Sequence, residues 1–193
     1  MKLSLPGFLA IGDTALSVPA ETETTQLNPP SKFKKPYQFN EDWFSDHALN
    51  LPKLLKNMAG KPDLKYLEIG VWEGRSFFWM LENVLTHSSA RATAVDRFHG
   101  HYFQTFKKNA SLYGQDAKIE IVKGLSQAVL PGLPADTYDI IYIDGDHSAS
   151  SVFLDIAFAW RILKVGGVFI IDDVDWHTEN PPETTPNFPV KAF

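Results

Sequence analysis

From residue 64 onward, the pattern of hydrophobic and polar positions in the 193-residue chain changes repeatedly between short strand-like runs and helix-like spacing. Short β-branched, aromatic and aliphatic runs are typical of buried strands, and the stretches between them carry apolar residues at helical spacing. The predicted strands are Leu64–Gly70, Arg91–Asp96, Lys118–Lys123, Tyr138–Asp144 and Val168–Asp172. The predicted helices are Gly74–Thr86, Tyr102–Leu112, Ser126–Leu130 and Ser150–Leu163, the last of which Gly166 and Gly167 are expected to end.

Strands that alternate with helices in this way predict an α/β fold. Right-handed crossovers would give a Rossmann-like, doubly wound, mostly parallel sheet with helices on both faces. Numbered along the chain, the five predicted strands are expected in the spatial order 3-2-1-4-5. Ligands bind such sheets beyond the carboxyl ends of the strands, so the residues that follow each strand are the candidates for function.

The first part of the chain has a different composition. Residues 1–37 are rich in Pro, Thr, Ser and Lys, which predicts a flexible leader before a single domain at 38–193. Between Asp42 and Met58 we expect one or two short helices, with Pro52 at a helix start or break. The extreme N-terminus only weakly resembles a signal peptide, so a cytoplasmic location is favoured over secretion.

Composition excludes several kinds of chemistry. Cysteine is absent, so disulfides, thiolate nucleophiles and cysteine-bound zinc are excluded. The net charge of -5 indicates no basic face, which disfavours nucleic acid as a partner. No apolar run approaches the length of a membrane span, so no membrane partner is expected.

The first predicted strand enters a turn that contains Gly70 and Gly74, and Ser76 opens the helix that follows. Glycines allow a ligand to approach the backbone, and a helix start offers unpaired N–H groups. The spacing differs from the Gly-x-Gly-x-x-Gly that holds a pyrophosphate. Glu68 would place a carboxylate beside the ligand, which suits a cation. Trp72 would line the pocket or pack at its rim.

The next two strand ends suggest a nucleoside. Asp96 ends the second predicted strand, where an acidic residue accepts hydrogen bonds from both ribose hydroxyls, and Arg97 beside it is a further candidate contact. After the third strand, Ser126 and Gln127 would meet an adenine edge. Ser126 could equally cap the short helix that it begins.

The last two strand ends are acidic. Asp144, Asp172 and Asp173 would converge in a doubly wound sheet, and like charges so close together repel unless a cation lies among them. This predicts a site for Mg²⁺, Mn²⁺ or Ca²⁺, although one or two of the carboxylates could simply be helix caps or solvated turn residues. His147 lies three residues after Asp144 and is the candidate base, because its usual pKa suits proton removal near neutral pH.

Taken together, these motifs resemble the class I S-adenosylmethionine-dependent methyltransferases from about Tyr66 to Trp176. The glycine turn and the Ser126 motif are similar to those of the metal-dependent catechol O-methyltransferases. The sequences Ile143-Asp144-Gly145-Asp146-His147 and Ile170-Ile171-Asp172-Asp173 look closer to the macrocin O-methyltransferase branch.

The resemblance implies S-adenosylmethionine as cofactor. It places Mg²⁺ on Asp144, Asp172 and Asp173 and the base on His147, where catechol O-methyltransferase has a lysine. It also implies methyl transfer to a hydroxyl of a small molecule, either a sugar or a catechol-like phenol. In this family two further strands normally end the sheet, and we expect both to be missing here, with an exposed edge in their place.

Two other functions remain open at this stage. The first is a nicotinamide-dependent oxidoreductase, which the glycine spacing and the acidic trio disfavour. The second is a binding module that has lost turnover, a reading supported by the short C-terminus. A homo-oligomer is possible in either case.

Overall fold

The computed structural model describes residues 7–10, 27–46 and 48–173. One sheet of parallel strands runs in the order β1-β6-β5-β2-β3-β4. The strands are β1 (Gly7–Ala10), β2 (Lys65–Ile69), β3 (Arg91–Asp96), β4 (Ile119–Lys123), β5 (Tyr138–Ile143) and β6 (Leu163–Ile171). From β4 to β6 this is the predicted order 3-2-1-4-5, so the doubly wound α/β fold is confirmed.

Helices cover both faces of the sheet. They are α1 (Leu51–Leu55), α2 (Arg75–Asn83), α3 (Gly100–Tyr113), α4 (Ser126–Val129) and α5 (Ala149–Ile162). Two cores lie on the two faces of the sheet. Tyr66 of β2 belongs to the core under α1, α2 and α3, whereas its neighbour Leu67 belongs to the core under α4 and α5. Successive strand residues point to opposite faces, so a strand covered on both sides carries apolar residues toward both cores, as β2 does with Tyr66 and Leu67.

Helix α2 is buried over its whole length from Ser76 to Asn83. Its outer side is covered by residues 27–46, and the indole Nε1 of Trp79 donates to the carbonyl oxygens of Asn28 and Pro29 at 3.2 Å. Because this covering layer includes residues 27–37, the prediction of a flexible leader is corrected for that segment. The remaining leader residues, 1–6 and 11–26, lie outside the described part of the chain.

Strand β1 was not predicted. It pairs in parallel with β6, with Gly7 opposite Val168 and Ala10 opposite Ile171. The edge of β6 that we expected to be exposed is therefore covered by a strand from the N-terminal region. Residues after Asp173, where the two further family strands would begin, are outside the described part of the chain.

The expected role of Gly166 and Gly167 was wrong. Helix α5 already ends at Ile162, and both glycines lie inside β6. The pairing of β6 with β5 is irregular at these glycines. Tyr138 pairs with Leu163 but Ile140 pairs with Val168, so β6 has more residues than β5 between the two pairs. Extra residues in one strand form a bulge, and a glycine such as Gly166, with φ of 80°, is suited to it.

Candidate functional site

The turn after β2 is packed tightly against the end of β5. Gly70 has φ of 81°, and a β-carbon there would lie 1.9 Å from the carbonyl oxygen of Asp144. Gly74 has φ of 89°, and a β-carbon would lie within 2.9 Å of the rings of Phe78 and Phe106. Both positions therefore require glycine, and the turn brings the ends of β2 and β5 into contact.

Glu68 is completely buried beneath this turn. Its Oε1 accepts a hydrogen bond from the Ser76 hydroxyl at 2.5 Å, and its Oε2 accepts one from the Tyr66 hydroxyl. Burial raises the pKa of Glu68 to about 8, with Asp172 and Asp96 adding to the shift. Glu68 and Ser76 thus support the turn from inside, and their direct contact with a cofactor stays a prediction.

Asp96 at the end of β3 faces the same turn. Its Oδ2 accepts a hydrogen bond from the backbone N–H of Trp72 at 3.2 Å, and its Oδ1 accepts one from the N–H of Phe98 at 2.7 Å. These bonds hold the carboxylate at the sheet edge, where it remains half-buried. Arg97 beside it is exposed. The Trp72 ring stacks on Tyr102, with centroids 3.3 Å apart.

Ser126 and Gln127 begin α4, just beyond the end of β4. Ser126 does not cap this helix: Leu125 occupies the cap position, and no side chain accepts from the first turn. Both residues are half-buried, and Gln127 Nε2 donates to Oδ1 of Asp155 on α5 at 3.1 Å. The capping alternative for Ser126 is therefore removed, and the adenine-edge role stays a prediction.

The acidic strand ends converge as expected, but with a different grouping. Asp144, His147 and Asp173 each offer a ligand atom, and these atoms lie within 4.8 Å of one another. His147 Nδ1 is 3.4 Å from Oδ2 of Asp173. Asp172 instead accepts a hydrogen bond from the hydroxyl of Tyr142, and its Oδ1 accepts one from the N–H of Asp173.

This arrangement suits a cation. Burial, together with the charges of Asp172 and Asp173, raises the pKa of Asp144 well above its usual range. Among the described residues, no lysine or arginine forms an ion pair with Asp144 or Asp172. Closely spaced carboxylates supply the oxygen ligands that a hard divalent cation prefers.

Sequence reasoning missed three buried groups that support the site, Tyr66, Tyr142 and Asp155. The two tyrosines have largely apolar side chains, so the strand pattern predicts only that they lie in the core. Only the parallel register, which sets Glu68 opposite Tyr142, shows that their hydroxyls lie among carboxylates. Asp155 lies within a helical pattern, where an acidic residue is normally solvent-facing.

Sequence comparison finds a methyltransferase family model and two relatives. A family model described as a methyltransferase domain matches residues 67–174. The catechol O-methyltransferase of Mycobacterium tuberculosis is 24% identical over 110 residues, covering 57% of this chain and 48% of that protein. Uncharacterized protein R132 of Acanthamoeba polyphaga mimivirus is 28% identical over 137 residues, covering 66% of this chain and 61% of that protein.

Solved structures show the same fold at low identity. A candidate O-methyltransferase from Klebsiella pneumoniae superposes with a TM-score of 0.61 at 22% identity, covering 79% of this chain and 66% of that one. The Bacillus cereus O-methyltransferase in complex with SAH gives 0.54 at 21% identity, covering 66% and 57%. The chain thus spans about half to two thirds of these relatives' length.

None of the helices in the described part of the chain has the length and apolar character needed to span a bilayer. The family match extends over more than half of the sequence and includes the glycine turn and every acidic strand end. With the strand order 3-2-1-4-5, it shows that this chain belongs to the methyltransferase-domain family and has the class I fold of S-adenosylmethionine-dependent methyltransferases.

Proposed function

We propose that the chain transfers a methyl group from S-adenosylmethionine to a hydroxyl of a small molecule. The observation that carries this proposal is the contact between the Gly70 turn and the backbone of Asp144. That contact sets a glycine turn suited to a cofactor directly beside the acidic cluster. The methyl donor and the group that prepares the acceptor would therefore be neighbours, and alignment of the two reactants can supply much of the acceleration.

The cofactor would lie along the ends of β2, β3 and β4. Its cationic methionine end would lie over the Gly70 turn, with the buried carboxyl group of Glu68 beneath it. Asp96 is already held at the sheet edge by two backbone N–H groups, and its remaining lone pairs would accept from the ribose hydroxyls. Ser126 and Gln127 would flank the adenine.

A divalent cation would be held by Asp144 and Asp173, with Asp172 behind them. When bound, it would supply Lewis-acid chemistry that lowers the pKa of an acceptor hydroxyl. Tyr142 keeps Asp172 in place through its hydrogen bond. Mg²⁺ suits carboxylate ligands, and Mn²⁺ or Ca²⁺ would be alternatives.

His147 would remove the proton from that hydroxyl. Its Nδ1 lies near the Asp173 carboxylate, which would orient the ring and leave Nε2 to accept the proton. The oxygen would then attack the sulfonium methyl in line, forming the C–O bond as the C–S bond breaks and releasing S-adenosylhomocysteine. The acceptor would be a sugar or a catechol-like phenol.

Methyl transfer to a panel of sugars and catechols, with Mg²⁺ and with EDTA, tests this proposal. We expect methyl-transfer activity that needs the metal. Asp144→Asn should lower this activity at least 100-fold, to about the level in EDTA, while cofactor binding persists. His147→Ala should lose turnover but keep metal affinity; if metal affinity falls as well, His147 is a ligand instead of the base. Undiminished activity in EDTA would refute the metal-assisted scheme.

A further inference from the structure

Asp155 is a buried carboxylate with no part in the proposed reaction. It lies on α5 and is only 1% exposed. Oδ1 accepts the hydrogen bond from Gln127 Nε2 at 3.1 Å, and Oδ2 is buried without a well-formed hydrogen bond to any described residue. A β-carbon at Gly145 would lie 3.4 Å from Oδ2. The carboxylate therefore lies directly beneath the loop that follows Asp144, and it reaches the start of α4.

This contact determines which way the Gln127 amide faces. An ionised carboxylate can accept hydrogen bonds but cannot donate one. Gln127 must therefore turn its amide nitrogen toward Asp155, and its carbonyl oxygen Oε1 faces away from that contact. Gln127 is half-buried at the sheet edge, and its Oε1 is not used in any hydrogen bond among the described residues.

Asp155 carries its charge near neutral pH. Burial raises the pKa of Asp155 to about 6, and the charge of Asp146 adds to the shift, whereas the neighbouring Ser126 and Gln127 side chains lower it. At pH 8 nearly all molecules would hold Gln127 in the orientation described above.

We propose that Asp155 is a positioning residue that sets base specificity: it holds Gln127 Nε2, so that Oε1 is left to accept a hydrogen bond from an exocyclic amino group. The site would then select a 6-amino purine over a 6-oxo purine, because the latter presents an acceptor to an acceptor. This inference rests on the proposed function, which places the cofactor's adenine beside Ser126 and Gln127.

Calorimetric titration at pH 8 with S-adenosylhomocysteine and S-inosylhomocysteine measures this preference. The wild type should bind the adenosyl compound at least about tenfold more tightly, since a buried acceptor left unpaired is costly. Asp155→Asn should reduce the ratio to within about threefold, because an asparagine can present either oxygen or nitrogen to Gln127. Gln127→Leu should reduce it similarly.

A matched control is Asp139→Asn, which alters a carboxylate that pairs with Lys164 and lies near the start of β5. This variant should keep the wild-type ratio. In the double variant Asp155→Asn/Gln127→Leu, the ratio should be no lower than in Gln127→Leu alone, because Asp155 acts through Gln127.

Several outcomes would overturn the inference. Asp155→Asn could weaken both compounds equally and leave the ratio intact, which would mean a structural role only. If Asp155→Asn does not fold, an unchanged ratio in Gln127→Leu overturns the inference without it. If the wild type binds both compounds with equal affinity, the inference about Asp155 is wrong but the proposed function stands. If the wild type binds neither compound, the assignment of the cofactor is refuted as well.

Discussion

At the scale of single residues, the site combines a glycine turn with buried acids that favour cations. The turn residues are fixed by sterics, whereas the acids are fixed by hydrogen bonds from tyrosine, serine and backbone groups. Each of these causes predicts a different measurable response to substitution.

Gly70→Ala should destabilise the fold far more than an ordinary surface change. The added β-carbon meets the backbone of Asp144, and the φ of 81° is unfavourable for alanine. We expect a loss of about 3 kcal/mol in the free energy of unfolding, measured with denaturant. Gly100→Ala is the matched control, because its φ is also positive but no atom lies within 4 Å of the added carbon. A loss as large in the control would contradict the steric cause.

Glu68 should make stability depend on pH. Its pKa of about 8 in the fold lies above its ordinary value of 4.5, so the folded protein binds more protons than the unfolded chain between these values. Stability therefore falls as pH rises from about 5 to 8, by up to about 1.4 kcal/mol per pH unit from this group.

Glu68→Gln should lose this component. The free energy of unfolding of the variant, relative to wild type, should rise across the same pH range when both are measured in EDTA. A difference between the two proteins that stays constant with pH would show that Glu68 is already ionised in the fold.

At the scale of elements, hydrogen bonds connect the segment 27–46 to the turn between β2 and α2. Asn40 donates to the buried Glu73 carboxylate through its backbone N–H at 2.7 Å and its Nδ2 at 2.5 Å. Asn109 Nδ2 donates to the carbonyl oxygens of Gln38 and Glu73. The position of the turn therefore depends on a segment remote in sequence.

Asn40→Ala should loosen this connection. Loss of the side-chain donor leaves one Glu73 oxygen less well satisfied, which should cost about 1–2 kcal/mol. Hydrogen exchange at the N-terminal residues of α2 should accelerate with it. Glu41→Ala changes the exposed neighbour and should stay within about 0.5 kcal/mol of wild type. Equal exchange rates in both variants would count against the connection.

Local pattern was sufficient to predict the strands of the central sheet and the helices that cover it, because a doubly covered strand carries apolar residues toward both faces, as β2 does with Tyr66 and Leu67. It was insufficient where partners are distant along the chain. The pairing of β1 with β6 and the covering of α2 by residues 27–37 depend on contacts that no local periodicity encodes. At Gly166, a glycine inside a bulge has the same sequence signature as one that ends a helix.

For the candidate site, the sequence predicted that acidic residues would meet at the strand ends, because parallel strands bring their carboxyl ends to one edge. It did not predict which atoms would be grouped. His147 lies with Asp144 and Asp173, whereas Asp172 turns to Tyr142. This choice depends on side-chain directions after the strands end, which strand alternation does not specify.

At the scale of the whole molecule, the sheet edge gathers the carboxyl groups of Glu68, Asp96, Asp144 and Asp172, each of which raises the pKa of at least one other group there. Such an acidic edge should favour cationic ligands, namely a sulfonium cofactor and a divalent cation, over a neutral ligand. The account therefore depends most on the identity of the cofactor.

The most direct test is calorimetric titration of the full chain with S-adenosylhomocysteine, with and without Mg²⁺. We expect one site per chain, weakened at least tenfold by Asp96→Ala because the ribose hydroxyls lose their acceptor, and unchanged by Asp116→Ala at an exposed position. Absence of binding by the wild type in both conditions would contradict the central claim.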